Sequence, residues 1–142
     1  HGVEPLEVRA RQGKPESGRI RVEFLNEEME TVINVSDDGQ GIDPGRVVDK
    51  ARQLGLIDSQ LANSLSEEKA MDLIFLSALS TRDHSTEYSG RGVGLDFVRS
   101  LIESVGGTVK VTSSFGIGTS FQIRLPHRLQ RNQPHLSAVK TS

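Results

Sequence analysis

The residues best suited to chemistry lie in Thr31–Ile42, TVINVSDDGQGI. Strand side chains alternate between faces, so Ile33, Val35 and Asp37 share one side and Val32, Asn34 and Ser36 the other. The apolar row therefore ends in a carboxylate, half-shielded at the edge of a core. An acceptor-only group is costly there unless a donor meets it. Gly39 and Gly41 allow backbone conformations and close approaches that a side chain blocks. Together these residues describe the floor of a ligand site. Asp-Gly pairs also mark hairpin turns, but Asp43, Pro44 and the apolar positions Val47, Val48, Ala51 and Leu54 follow as a capped helix. The order is strand, glycine turn, helix.

A second glycine run, Gly90-Arg91-Gly92-Val93-Gly94, opens another helical pattern at Leu95, Val98, Leu101, Ile102 and Val105. Unpaired backbone N–H groups and the positive end of the helix dipole suit an anion there, phosphate above all. The run lacks both G-x-G-x-x-G spacing and a Walker lysine, so by itself it is equally a packing device.

The elements that must position these groups follow in order. His1 to Ser17 is polar, with Pro5, Gly13 and Pro15, and is expected to be a loop with a short helical turn around Glu7 to Arg11. Gly18 to Leu25 alternates, with Ile20, Val22 and Phe24 on one face, and forms a hairpin with the strand that ends at Asp37. Gly55 stops the helix from Pro44. Asp58 to Leu65 is a weak helix. Ser66 caps a stronger one whose stripe is Met71, Ile74, Phe75 and Ala78. Ser80 to Ser89 loses hydrophobic periodicity and reads as a mobile loop. Gly106 and Gly107 end the helix after the glycine run, and Thr108–Ser113 and Thr119–Leu125 make a second hairpin. Each strand has one apolar and one polar face, so helices should cover a single side of a mostly antiparallel sheet.

With 142 residues the chain suits one domain. A formal charge of −2 and six aromatic residues, five Phe and one Tyr, offer no basic footprint and few stacking platforms, which argues against nucleic acid. The lack of Cys excludes disulfides and thiolate chemistry and fits a reducing cytoplasm. No apolar run reaches bilayer-spanning length, so direct membrane contact by this domain is not expected and a cytoplasmic location is, with a membrane-anchored parent protein left open. The opening without Met suggests a piece of a longer protein.

Four blocks stand in one order: Asp37–Ile42, LIFLSALST at Leu73–Thr81, SGRGVGLDFV at Ser89–Val98, and Gly116-Ile117-Gly118-Thr119. Together they resemble the ATP-binding domain of histidine kinases of the GHKL (Bergerat) ATPase superfamily, most closely the chemotaxis kinases of the CheA type. His1-Gly2-Val3-Glu4-Pro5 resembles the end of that family's first motif, and the resemblance runs to about Pro126. It implies a two-layer α/β sandwich with a mostly antiparallel mixed sheet, an ATP site under a lid, and a tail from 127 to 142 that is expected to be disordered.

The resemblance also implies roles. Asp37 takes the adenine amino group, with Gly39, Gly41 and Ile42 beside the base and Thr119 nearby. Ser80, Thr81 and Arg82 open the lid, with Arg82 and His84 toward the terminal phosphate. Gly90, Arg91, Gly92, Val93, Gly94 and Leu95 face the phosphates. The Asn that holds Mg2+ would lie upstream of His1, on a helix missing from this chain, with His1 as a phosphate or metal neighbour. Two further departures from the family pattern are Leu79 in place of a second aromatic after Phe75, preceded by Ala78, and the lack of a small β-domain after Pro126.

The implied function is delivery of the ATP γ-phosphate to a histidine on another domain, with a response regulator downstream. None of His84, His127 or His135 lies on an amphipathic helix fit for a phosphoacceptor, so the acceptor is expected elsewhere and this chain alone is expected to be inactive. Two alternatives stay open: a nucleotide-driven clamp of the gyrase, MutL or Hsp90 type, and a non-catalytic nucleotide-binding regulatory module.

Overall fold

The computed structural model describes residues 2–76, 79 and 94–127. The expected lid from Ser80 to Ser89, Gly90, Arg91, Gly92, Val93, His1, Ala78 and the tail beyond His127 lie outside them.

Two hairpins make one sheet. β1 (Ile20–Asn26) pairs with β2 (Glu30–Asp37), and β3 (Thr108–Ser114) pairs with β4 (Gly118–Pro126). The strand order is β1-β2-β4-β3, antiparallel at every pairing. Directly opposed residues share a face, so the register aligns rows across all four strands. Phe24, Ile33 and Ile123 stand opposite Val109, while Val22, Val35 and Phe121 stand opposite Val111. The next row is Ile20, Asp37, Thr119 and Ser113, so the apolar face ends in polar groups.

Helices cover the β3–β4 half of that face. α2 (Pro44–Gln53) starts at Asp43, whose carboxylate accepts from the N–H groups of Gly45 and Arg46. It buries Val47 and Ala51 in a core shared with Ile57, Met71, Ile74, Phe75, Leu79, Ile102, Val109 and Val111. α3 (Ser59–Ser64) is capped by Asp58 and α4 (Glu67–Asp72) by Ser66. α5 (Leu95–Ser104) contributes Ile102, and Gly106 and Gly107 close it by donating to Glu103 and Ile102. Leu79, where the resemblance expects an aromatic ring, is buried in this core. Phe75 meets Phe121 edge-on, with centroids 6.4 Å apart, and Arg99 lies 4.6 Å over the Phe75 ring.

Two expectations are corrected and a third is extended. The helix after Ser66 does not run on to Phe75: it ends at Asp72 and tightens into a 3-10 turn, Leu73–Phe75, after which Leu76 is extended. The tighter turn still buries Ile74 and Phe75, so tertiary packing overrides a continuous 3.6-residue stripe. Val32, assigned to the polar row, is 1% exposed. It lies in register with Leu25 and Arg124, and the Arg124 guanidinium is tied down by Glu30 and Glu27. Finally, the helical turn expected around Glu7 to Arg11 forms as α1 (Leu6–Arg11), but the segment is more than a polar loop, because its Arg9 is 1% exposed.

The β1–β2 half of the apolar face is bare by comparison. Ile20, Val22 and Phe24 are 73%, 50% and 69% exposed. On α5, Phe97 and Leu101, with Val105 at its C-terminal cap, extend the apolar arc beside buried Ile102 yet stay exposed. Truncation at the two halves should therefore differ. Met71→Ala should cost about 2–5 kcal/mol, whereas Phe24→Ala should stay within about 0.5 kcal/mol. Urea unfolding of this chain reads both, and equal losses would mean that β1 is covered after all.

Candidate functional site

The polar row at the end of the sheet is the nucleus of the site. Strand alternation puts Asp37 on the helix-bearing face, and pairing with β4 sets it beside Thr119. One Asp37 oxygen, Oδ1, accepts from the Gly39 N–H at 2.8 Å, which is the ordinary turn-capping role of an Asp before glycine. Among the described residues nothing donates to the other oxygen, and the side chain is only partly buried.

Thr119 is buried, and its Oγ1 lies 3.0 Å from Ser113 Oγ. The Ser113 hydroxyl donates to the Gly118 carbonyl and accepts from the Ile42 N–H, both at 2.8 Å. Its single proton is thus committed, so Thr119 donates to Ser113 and keeps lone pairs free. Asp37 and Thr119 together present acceptors. That pair suits a ligand amino group.

The turn between Asp37 and Ile42 is held from both sides. Gly41 has φ +68, and a Cβ there would stand 2.2 Å from the Ser114 carbonyl, so only glycine fits. The Gly116 N–H donates to the Gln40 carbonyl at 2.7 Å. From the opposite side the Gln40 N–H donates to the Gly2 carbonyl at 2.9 Å. Beyond the turn, Gly41, Ile42, Arg46, Lys50, Leu79 and Phe115 line an open cleft of about 670 Å³. Asp37, Ser113, Ile117, Gly118 and Thr119 line a smaller one of about 270 Å³. The more enclosed cavity along β3, of about 540 Å³, contains none of the expected site residues.

Of the expected ATP-binding residues, Asp37, Gly39, Gly41, Ile42 and Thr119 lie where β2 ends and β4 begins. Gly94 is the N-terminal boundary of α5 and takes no side-chain cap, while Leu95 packs on the core. His1, Ser80, Thr81, Arg82, Gly90, Arg91, Gly92 and Val93 fall outside the described residues. Sequence reasoning missed Ser113, which the hairpin register could have placed opposite Thr119. It also missed the cluster under the turn.

That cluster is built on Arg9. Its guanidinium donates to Glu4, to the Asp38 carboxylate and to the carbonyls of Asp38, Pro15 and Ser17, which uses every N–H it has. Lys14 donates to Glu4 and to the carbonyls of Asp38 and Gly39. The hydrogen bond from Lys14 holds the Glu4 carboxyl below its usual range despite burial. For Asp38 the Arg19 N–H does the same, with Arg9 adding to it. Burial works against the charge on Arg9, but Asp38 and Glu4 raise its pKa overall.

A profile of the family described as "Histidine kinase-, DNA gyrase B-, and HSP90-like ATPase" matches residues 7–129. The chain belongs to this family. It is 39% identical over 140 residues to the sensor histidine kinase CheAY of Helicobacter pylori, a match covering 99% of this chain and 17% of that protein. It is 40% identical over 126 residues to the chemotaxis protein CheA of Bacillus subtilis, covering 89% and 19%. The gliding motility regulatory protein of Myxococcus xanthus is 45% identical over 129 residues, covering 91% and 17%. The chain therefore spans about a fifth of the length of these curated relatives. The catalytic domain of the histidine kinase ThkA aligns with a TM-score of 0.42 at 20% identity, covering 78% of this chain and 54% of that one, which is too loose a likeness to carry weight. The domain is a CheA-like ATP-binding domain of the histidine-kinase class. Among the described residues no helix is long and apolar enough to cross a membrane.

Acid should loosen the cluster under the turn. The folded pKa values of Glu4 and Asp38 lie below the ordinary 4.5 and 3.8, so the unfolded chain binds more protons in that region. Their stabilisation is complete above the ordinary values and is lost as pH falls through the lowered ones, while Arg9 stays charged throughout. The melting temperature should hold from about pH 7 to 5 and fall below that. In Lys14→Met, where Glu4 loses its strongest pull, the acid-dependent part of that fall should shrink. Thermal melts across pH read both.

Proposed function

We propose that this domain binds Mg2+-ATP and delivers the γ-phosphate to a histidine on another domain of a longer, cytoplasmic, CheA-like kinase that passes it to a response regulator. The observation that carries the base-binding half is the acceptor pair at the sheet's end: the Asp37 oxygen to which none of the described residues donates, beside Thr119 and next to the Gly39–Ile42 backbone. Adenine offers an amino group where guanine offers a carbonyl, so an acceptor pair selects the former. Such chemistry needs chiefly positioning and neutralisation of phosphate charge. ATP supplies the phosphoryl group when bound. This chain's part is to orient the base with Asp37 and, on this reading, to hold the phosphates with the backbone of Gly90 to Gly94.

The bare β1–β2 face and the unused apolar arc of α5 support a further helix on the same sheet face. The reading places that helix before His1, carrying the Asn that would hold Mg2+. Acidic clusters that could hold a metal by themselves do not occur among the described residues.

Asp37→Asn tests the base contact. A hydrogen bond to a charged group contributes roughly 1.5–3 kcal/mol, so ATP affinity should fall by about ten- to a hundred-fold. Asn can present its amide N–H to guanine, so the ATP-to-GTP ratio should shrink as well. Calorimetric titration of both nucleotides against the longer protein reads this, and unchanged affinity with an unchanged ratio removes Asp37 from the site. Phosphohistidine on the intact protein after incubation with ATP separates a kinase from a clamp ATPase.

A further inference from the structure

The cluster beneath the turn is larger than a turn needs. Gly39 lies so close to the chain at Gly2 that a Cβ on it would stand 2.0 Å from the Gly2 carbonyl. Two cations then fasten the contact. Arg9 is 1% exposed, and its side chain bridges the 3%-exposed carboxylate of Glu4 to the carboxylate of Asp38, at 3.1 and 3.0 Å. Lys14 joins the other Glu4 oxygen, at 2.6 Å, to the carbonyls of Asp38 and Gly39, at 3.0 and 2.7 Å. Both Glu4 oxygens are thus engaged by the clamp, Asp38 has both oxygens engaged by Arg9 and the Arg19 N–H, and all three N–H groups of Lys14 are spent.

Asp37 itself does not depend on this clamp. It is held by β2, paired with Ile20 on one side and Thr119 on the other. What the clamp fixes is the distance between two pieces of chain: the segment entering at Gly2 to Glu4, and the turn that follows Asp37. A single ion pair would tolerate sliding. A planar fork with five bonds, reinforced by a second cation on the same acceptors, does not.

We propose that Arg9 and Lys14 are positioning residues of the nucleotide site, fixing the chain that enters at Gly2 against the turn that follows Asp37. This rests on the reading above, in which the metal-holding residue lies just before that entry. The clamp then sets the metal side of the site at a fixed separation from the base side, so one nucleotide engages both. Neither residue touches the ligand. Their effect falls on the part of the binding energy that requires both ends at once.

Two ligands separate the ends: adenosine, which reports the base side alone, and Mg2+-ATP, which reports both. In the full-length protein, calorimetry should show Lys14→Met and Arg9→Lys binding adenosine like the wild type. Mg2+-ATP should bind about ten- to a hundred-fold more weakly, as when an outer partner of a ligand-holding group is removed. Lys14→Arg, which keeps a cation on the same acceptors, should recover most of the loss. Thermal melts confirm that each variant is folded at the assay temperature. Should Arg9→Lys fail to fold, Lys14→Met decides, because the Lys14 side chain is 13% exposed and lies at the edge of the cluster. A folded Lys14→Met that binds Mg2+-ATP normally, or loses adenosine and Mg2+-ATP in equal proportion, overturns the proposal and leaves the clamp a purely structural device. A wild-type protein that binds neither ligand instead overturns the nucleotide reading itself.

Discussion

The pairing of β2 with β4 is the constraint on which the site depends. Strand side chains repeat every two residues, so a slip of one position would turn Asp37 to the opposite face and bring Ile33 and Val35 with it. The apolar row prevents that slip. Val35 against Phe121 and Ile33 against Ile123 fix the register, and the same register then sets Asp37 beside Thr119 and Thr119 beside Ser113. Hydrophobic burial thus aligns the polar row, in which Thr119 hydrogen-bonds to Ser113 and Asp37 stands beside Thr119.

The turn after Asp37 is held by backbone contacts on both sides. Backbone from the β3–β4 hairpin meets it on one side, through Gly116 and the Ser114 carbonyl. Backbone at Gly2 meets it on the other. No side chain fits in either contact, which explains the need for glycine at positions 39 and 41. Buried ion pairs are costly to desolvate and are weak evidence of stability. The Arg9 cluster is better understood as holding geometry, since every polar atom it buries has a partner.

Coverage of the sheet is uneven. α2, α4 and α5 bury the β3–β4 half, where Val109 and Val111 meet the core. The β1 side exposes three large apolar residues in a row. An edge strand with a bare apolar face is a hazard for a free-standing domain. The chain that carries this bare face spans about a fifth of the length of the curated relatives it matches.

The sequence by itself determined the local elements and the ends of most of them. Asp43-Pro44, Asp58 and Ser66 start helices, Gly55 and Gly106 stop them, and period-two alternation marks all four strands, because these signals act through near neighbours. It also placed Asp37 at the end of an apolar row and, through four ordered motifs, pointed to the family. Tertiary structure alone decided the rest. Ser113 joined the site because two hairpins pair in one register. The helix after Ser66 ended early because the core needed Ile74 and Phe75 at a tighter pitch. Most of all, a stretch that looked like a polar loop became a buried clamp. Glu4, Arg9, Lys14 and Asp38 carry no periodic pattern, and charged residues ordinarily signal solvent. Only the folded chain brings Asp38, far away in sequence, close enough for burial of Arg9 to be balanced by opposite charge and a full set of hydrogen bonds.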